Sequence, residues 1–364
     1  MLIVHIPSWF PNAESPLSGN FILRQIATVG DSTTSVILHH ADPDLDIPIP
    51  ENVHFHPVPN VKKWKLPEAY MKAFAQIMRE YGRPDILHLH VAWPLGPLAA
   101  YIARKYGIPM VISEHWSGYQ PMNRGRLTFI QKRALNYTFS TASHITAVSQ
   151  NLLDNICATI PDAAQKRQSV VGNVVDTGLF SLKQPTQNDK KRILHVSTLD
   201  DDAKNITGIL RAIKSLSSQR TDFELHIVHD LENKEAESFV EENGLSGVVH
   251  FLGRKSSAEI ADLFHQSDFF LLFSNYENQP CVLLESFCTG TPVVTTPVGG
   301  IPEIANAGNS VIVAPKDETQ LIEKLEFMLD NAHKFNPMEI REKALQICST
   351  DVIGEKWLEI YRSL

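Results

Sequence analysis

Cysteine is scarce: Cys157, Cys281, Cys288 and Cys348 are the four in 364 residues, and their spacing fits neither a disulfide framework nor a metal knuckle. Thiols at this density suit a reducing compartment, so a cytoplasmic location is the expectation. No apolar run reaches the roughly 18 residues of a membrane-spanning helix. The start, MLIVHIPSWF, lacks the basic region and long apolar segment of a signal peptide and reads as a first strand. Excess positive charge is missing too, and a net charge of -8 disfavours nucleic acid as a partner. No carboxylate pair suited to a hydrolase stands out. No Asp-x-Asp pair is placed at a strand end to hold a divalent ion, and the run Asp200, Asp201, Asp202 reads as a solvated turn. His88 and His90 alternate along one strand face, but two ligands without a third make a poor metal site, so no metal is expected.

What is present is ordinary for a globular chain, with 43% hydrophobic and 20% charged residues. The length suits two domains of about 180 residues each. Charge divides between them: up to Leu182 there are 15 Lys+Arg against 13 Asp+Glu, which leaves 18 against 28 for the rest. Basic residues of the first half gather at Lys62, Lys63 and Lys65 around Trp64. A second group, Arg124, Arg126, Lys132 and Arg133, surrounds Leu127, Phe129 and Ile130. Such a surface can be a solvated helix face, or it can lie on an anionic membrane as a peripheral contact.

The most informative stretch runs from Ser267 to Ile304, SDFFLLFSNYENQPCVLLESFCTGTPVVTTPVGGIPEI. Asp268 to Ser274 reads as a buried parallel strand. Asn275 to Gln279 is then a polar loop, and Pro280 stands where a helix can begin. Cys281 to Thr289 is that helix, stopped by Gly290, and Pro292 to Thr296 is the next strand. Gly299-Gly300 is expected to open a further helix. Glu277 lies in the loop and Glu285 in the helix. Ligands of an open α/β sheet bind beyond the carboxyl ends of its strands, where helix N-termini present N–H groups to anions. A carboxylate beside a bound phosphate needs its own donors, and sugar or ribose hydroxyls supply them. A nucleotide sugar offers both chemistries.

This stretch resembles the Glu-x7-Glu signature of the retaining glycosyltransferases of family 4, with G-x-P-V-V (Gly290 to Val294) and G-G-x-x-E-I (Gly299 to Ile304) in register. The resemblance implies an α/β architecture of GT-B type, two Rossmann-like doubly wound domains facing across a cleft. The expected division is an acceptor-side domain over 1–182, a nucleotide-sugar-binding domain over 183–345, and a C-terminal helix over 346–364 crossing back onto the first. It also implies a metal-independent hexosyl transfer with retention, no cofactor, a nucleoside-diphosphate sugar as donor and a glycan or lipid-linked acceptor. Cell-surface polysaccharide or lipopolysaccharide synthesis is the setting.

Site residues follow by the same resemblance. Glu277 would hold sugar hydroxyls and Glu285 the ribose. Lys204, after the strand Ile193 to Ser197, would grip the diphosphate together with the backbone N–H groups of Cys281 and Val282. Thr198 stands where the family carries a second cation, an arginine, which is the main departure. Arg254, after the strand beginning at Val248, is a candidate for the base or an extra cation. In the first half, IPMVISEHWSGY delivers His115 to a strand end, where it would meet the donor's sugar or phosphate, with Glu114 a neighbour of unassigned use. Gly19 is the one glycine of the first loop, Ser8 to Asn20, that matches the family's approach to the donor phosphates. A sugar-nucleotide epimerase of the same fold and a non-catalytic nucleotide-sugar-binding protein are the alternatives, and the second gains from Thr198.

Overall fold

The computed structural model describes residues 1–11, 19–29, 32–40, 49, 51–184 and 189–364. Residues 12–18, including Pro16 of the first loop, lie outside that set. By internal contacts the chain forms two units, Met1–Val174 with Thr350–Leu364, and Val175–Ser349.

The first unit alternates strand and helix: β1 (Leu2–Pro7), α1 (Asn20–Ala27), β2 (Thr34–His39), β3 (Val53–Pro57), α2 (Leu66–Tyr81), β4 (Ile86–His90), α3 (Gly96–Tyr106), β5 (Met110–Glu114), α4 (Phe129–Thr141), β6 (His144–Ala147), α5 (Gln150–Thr159) and β7 (Arg167–Val170). The strands pair in parallel in the order β3-β2-β1-β4-β5-β6-β7. Both sheet faces are covered, which is why β1, β4 and β5 are buried along their whole length. Residues of α2, α3, α4 and α5 share one core with Leu2, Val4 and Ile6. On the other face, Ile3, Ile86 and Val111 pack with Ile353, Trp357 and Ile360 from the last helix of the chain.

The second unit runs β8 (Lys191–Ser197), α6 (Asp201–Lys204), α7 (Ile206–Ser217), β9 (Phe223–His229), α8 (Lys234–Glu242), β10 (Val249–Gly253), α9 (Ser257–His265), β11 (Phe269–Leu272), α10 (Cys281–Cys288), β12 (Val293–Thr295), β13 (Ser310–Ile312), α11 (Glu318–Asn331) and α12 (Pro337–Cys348). Its parallel order is β10-β9-β8-β11-β12-β13. After α12 the chain returns to the first unit as α13 (Thr350–Arg362).

Two expectations change. The first unit ends at Val174 rather than after residue 182, because Val175 and Phe180 are buried in the core of the second. Arg341 of α12 also donates to the carbonyls of Thr177 and Phe180. Gly299-Gly300 opens only a single turn, Ile301–Glu303. Asn309 donates to the Ile304 carbonyl at 3.0 Å and accepts from the Asn306 N–H at 2.8 Å, a turn that sends the chain directly into β13. The three aspartates are exposed, as read, and form a single turn. Asp200 accepts from the Asp202 N–H at 3.1 Å and caps α6.

His5 of β1 joins His88 and His90 of β4, since β1 and β4 are neighbours in the sheet. All three are buried, with ligand nitrogens within 4.8 Å of one another. Most of their ring nitrogens are engaged with each other or with hydroxyls, while His90 Nδ1 is buried without a hydrogen-bond partner among the described residues. His5 Nδ1 lies 3.0 Å from His90 Nε2 and His5 Nε2 3.3 Å from Ser35 Oγ. His88 lies 2.7 Å from the Tyr361 hydroxyl and 2.9 Å from Ser113 Oγ. This is a bonded polar network inside an apolar core, and through Tyr361 it fastens α13 to the sheet.

Burial pushes the His5 pKa down to about 3 and those of His88 and His90 well below the usual range. Unfolded imidazoles take up protons below about pH 6.5, whereas the folded ones stay neutral. Stability is therefore full above that pH and falls as pH drops towards 3. At about 1.4 kcal/mol per pH unit for each histidine, three of them cost roughly 6 kcal/mol by pH 5, comparable to a domain's whole stability. The expected outcome is a steep fall of Tm between pH 6.5 and 5 in a thermal-unfolding series; a flat Tm over that range would contradict this account.

Candidate functional site

In the second unit the strand order reverses between β8 and β11, and the loops leaving their carboxyl ends are the ones that ligands meet in such sheets. The loop after β8 holds Lys204, and the loop after β11 holds Glu277. Sequence separates them by 73 residues, yet Lys204 Nζ lies 2.5 Å from Glu277 Oε1. Ser274, the residue that ends the apolar run, donates its hydroxyl to the same oxygen at 2.8 Å.

Local structure holds this pair in place. Asp200 caps the one-turn helix α6, and Asn205, in the left-handed region at φ 51°, redirects the chain into α7. Lys204 thus stands on a short rigid step. The Asn275 N–H donates to the Ala203 carbonyl at 2.8 Å and its side chain to the Asp202 carbonyl at 3.1 Å, which laces the Glu277 loop onto that step. From the other side, a Cβ on Gly299 would meet the Glu277 carbonyl oxygen at 1.7 Å, and Gly299 has φ +56°. No other residue type fits there. Gly300 donates to the Asn278 carbonyl at 2.8 Å.

The same loop leads into α10, whose N-cap is Pro280 with no side-chain cap. Cys281 and Val282 occupy its first turn and are half-buried. Glu285 stands one turn beyond Cys281 on the same helix face and is buried at 5% exposure. A carboxylate in the interior of an apolar helix is unusual enough to require polar partners. One loop thus joins Glu277, in contact with Lys204, to the start of α10, and Glu285 lies one turn into that helix. A cation, a helix N-terminus and two acids in that order can receive an anionic diphosphate flanked by hydroxyl-bearing rings.

Two further predicted residues follow β8 and β10. Thr198 directly follows β8 and is exposed. Arg254 is exposed just beyond β10, which lies two strands from β8, about 9–10 Å by strand spacing.

In the first unit, Gly19 is the N-cap of α1 with φ 69°, and a Cβ there would meet the Trp9 carbonyl oxygen at 2.4 Å. His115 follows β5 directly and is buried beside Phe21, ring centres 4.6 Å apart. Burial lowers its pKa to about 3, so it is a neutral imidazole at ordinary pH. Glu114, left without a use by the sequence, gathers the loops of two strand ends. Its carboxylate accepts from the His115 and Trp116 N–H groups at 2.8 and 2.9 Å, from Ala92 at 3.0 Å and from the Tyr119 hydroxyl at 3.2 Å. Burial raises its pKa while these donors oppose the rise. Glu114 is a positioning group for His115. Sequence reasoning missed this, and missed Ser274 and the contact made by Gly299. The signal available for Ser274 was its place at the end of a strand, three residues before Glu277.

Comparison with known proteins bears on the family of the chain. The family model described as Glycosyl transferases group 1 matches residues 180–345, and the one described as Glycosyltransferase Family 4 matches residues 23–179. An uncharacterized glycosyltransferase of Methanocaldococcus jannaschii is 26% identical over 309 residues, covering 83% of this chain and 76% of that protein. Among solved structures, the lipopolysaccharide outer core galactosyltransferase WaaB in its apo form is 18% identical with a TM-score of 0.75, over 100% of both chains. HepE of Anabaena in complex with UDP is likewise 18% identical, with a TM-score of 0.78 over 100% of both chains. No helix among the described residues is long and apolar enough to cross a membrane. The two matched regions, taken with two parallel sheets of Rossmann type, establish that the chain belongs to the GT-B glycosyltransferases of the group 1 and family 4 type.

Proposed function

We propose that this enzyme moves a hexosyl group from a nucleoside-diphosphate sugar to a glycan or lipid-linked acceptor, with retention of configuration and without a divalent ion. The observation that carries the reading is the contact of Lys204 with Glu277 beside the start of α10, where the N-cap Pro280 makes no side-chain bond. Departure of the nucleoside diphosphate breaks the bond from the anomeric carbon to a phosphate oxygen and leaves negative charge on phosphate. Lys204 and the first-turn N–H groups at Cys281 and Val282 meet that charge. An incoming diphosphate competes with Glu277 for the ammonium group, and Glu277 then accepts from sugar hydroxyls. Glu285 accepts from the ribose. The acceptor oxygen bonds to the anomeric carbon and its proton passes to the departing phosphate oxygen, which needs no separate protein base. His115, being neutral, serves as a hydrogen-bond partner to the donor rather than as a cation, while Gly19 lets backbone approach it.

With Thr198 in place of a second cation, Lys204 carries more of the leaving-group charge, and Arg254, at the far strand, is left to the base. The setting on this reading is synthesis of cell-surface polysaccharide or lipopolysaccharide, in the cytoplasm with peripheral contact at the inner membrane face. Four free thiols fit that compartment. The exposed Thr198 also favours a second reading, a non-catalytic nucleotide-sugar binder, which binds donor without turnover.

A thermal-shift panel of UDP, GDP, ADP, CMP and their sugars is expected to raise Tm by several degrees for one base, since about 100 times Kd of ligand adds about 2.7 kcal/mol. No shift with any of them at millimolar concentration would remove the donor assignment. Glu285→Ala is expected to abolish the shift while leaving the ligand-free Tm within a few degrees. Lys204→Ala is expected to slow sugar transfer about 10²–10³-fold, the usual loss for a leaving-group donor; a variant with the parent's kcat would take Lys204 out of the mechanism.

A further inference from the structure

Alternate residues of a strand share a face. On β9 and β10 of the second sheet, Phe223, Leu225, Ile227 and Val249 turn to a core shared with residues of α7, α8 and α11. Glu224, His226 and His250 are therefore on the opposite face, and the strands pair so that His250 stands directly beside His226. The three are half-buried, with one ligand atom from each within 4.8 Å of the others. Glu224 is the second residue of β9 and His250 the second of β10, the edge strand of the sheet. The group thus lies toward the amino edge, opposite the edge that carries Lys204 and Glu277.

The separations are those of ligands around an ion rather than of a hydrogen-bonded pair. His226 Nε2 lies 3.3 Å from Glu224 Oε2. A charge-assisted bond from nitrogen to carboxylate oxygen closes to about 2.7–2.9 Å. Two ligand atoms each about 2.1 Å from a tetrahedral ion are about 3.4 Å apart, close to the spacing found here. The rings of His226 and His250 are perpendicular, with centres 5.3 Å apart. Two imidazoles bound to one tetrahedral ion have centres about 5 Å apart, by the metal–nitrogen bond length and the size of the ring. Any separation still at 4.8 Å has to close by about 1.4 Å, which a turn of the His250 ring about its side-chain bonds supplies. His226 Nδ1 is shut away from solvent, so Nε2 is the ligand atom of that ring.

The donor set selects the ion. Two imidazoles and one carboxylate suit zinc(II) and its late transition-metal neighbours, whereas magnesium and calcium take oxygen atoms. Two cations stand close by. Lys190 is 3.6 Å from Glu224 and its side chain is 40% exposed, so it can swing into solvent at little cost. Arg192 donates to Gln266 at 2.9 Å. The other histidine group, His5, His88 and His90, is fully buried and bonded to Ser35, Ser113 and Tyr361, so an ion arriving from solvent cannot reach it without opening the core.

We propose that Glu224, His226 and His250 bind one zinc-class divalent ion, with solvent in the fourth position, and that the ion clamps the edge strand β10 to β9. All three ligands stand on strands held in register by the sheet, which fixes their geometry more closely than loops would. The proposal goes beyond the transfer reaction and stands without it, because the ion sits at the edge away from the donor site and takes no part in turnover.

Metal titration of the full chain tests it. Protein stripped with a chelator is titrated with zinc(II) against a chromophoric competitor, and one equivalent is expected to bind with micromolar affinity or tighter. Excess zinc is expected to raise Tm by several degrees where magnesium does not. His226→Ala and His250→Ala, made separately, are each expected to lose that equivalent and the rise in Tm. Glu224→Gln, close to the parent in shape, is expected to weaken zinc about tenfold or more while keeping the zinc-free Tm within a few degrees, so loss of the site is told apart from loss of the fold. Cobalt(II) gives a second readout, with the intense visible bands of a tetrahedral site in the parent and their loss in His250→Ala. No zinc bound by the parent, an equal rise in Tm with magnesium, or zinc binding kept by both histidine variants would overturn the proposal; the last would send the ion to the free thiols or to the buried histidines.

Discussion

A strand buried on both faces can present chemistry only at its ends. The central strands of both sheets are of this kind, and both sheets are parallel throughout, so every carboxyl end in a unit points to the same edge. Polar groups with work to do are concentrated there, and the order of strands decides which of them meet. The adjacency of β8 and β11 alone brings an ammonium group and a carboxylate into contact across 73 intervening residues. The pair then depends on backbone detail: a capped single turn under Lys204, and a glycine at position 299 whose missing side chain makes room for the Glu277 carbonyl.

The sequence carried the repeating pattern of strand and helix well. Asp268 to Ser274 and Pro292 to Thr296 are read as strands and observed as Phe269–Leu272 and Val293–Thr295, because a short apolar run closed by polar residues has few other solutions. The helix beginning at Cys281 and the acids Glu277 and Glu285 were also legible, since a spaced motif survives in one dimension. Contacts between distant segments were not. His5 gives no sign in the sequence that it lies against His88 and His90, because that requires knowing that β1 and β4 are neighbours. Glu114 looked idle for a related reason: three of its four donors are backbone N–H groups, which have no residue identity to read. The allegiance of residues 175–182 was likewise decided by where Val175 and Phe180 find a core, not by composition.

Buried polar groups serve opposite purposes in the two units. In the first, imidazoles and Glu114 are consumed by the fold, each meeting partners that position loops or fasten α13. In the second, the acid and the base of the Lys204–Glu277 pair satisfy one another and keep some exposure, 18% and 9% for the side chains. A contact of that kind can be exchanged for a ligand at little cost, whereas the Glu114 arrangement cannot be opened without stranding four donors.

The return of α13 has a bearing on how the molecule is made. Ile353, Trp357 and Ile360 complete a core whose other members, Ile3, Ile86 and Val111, emerge from the ribosome far earlier. Between them comes the entire second unit, a stretch able to bury its own apolar residues as it is synthesised. The part translated first is thus the part finished last, and a nascent chain halted at Ser349 would carry one closed core and one still missing its final wall.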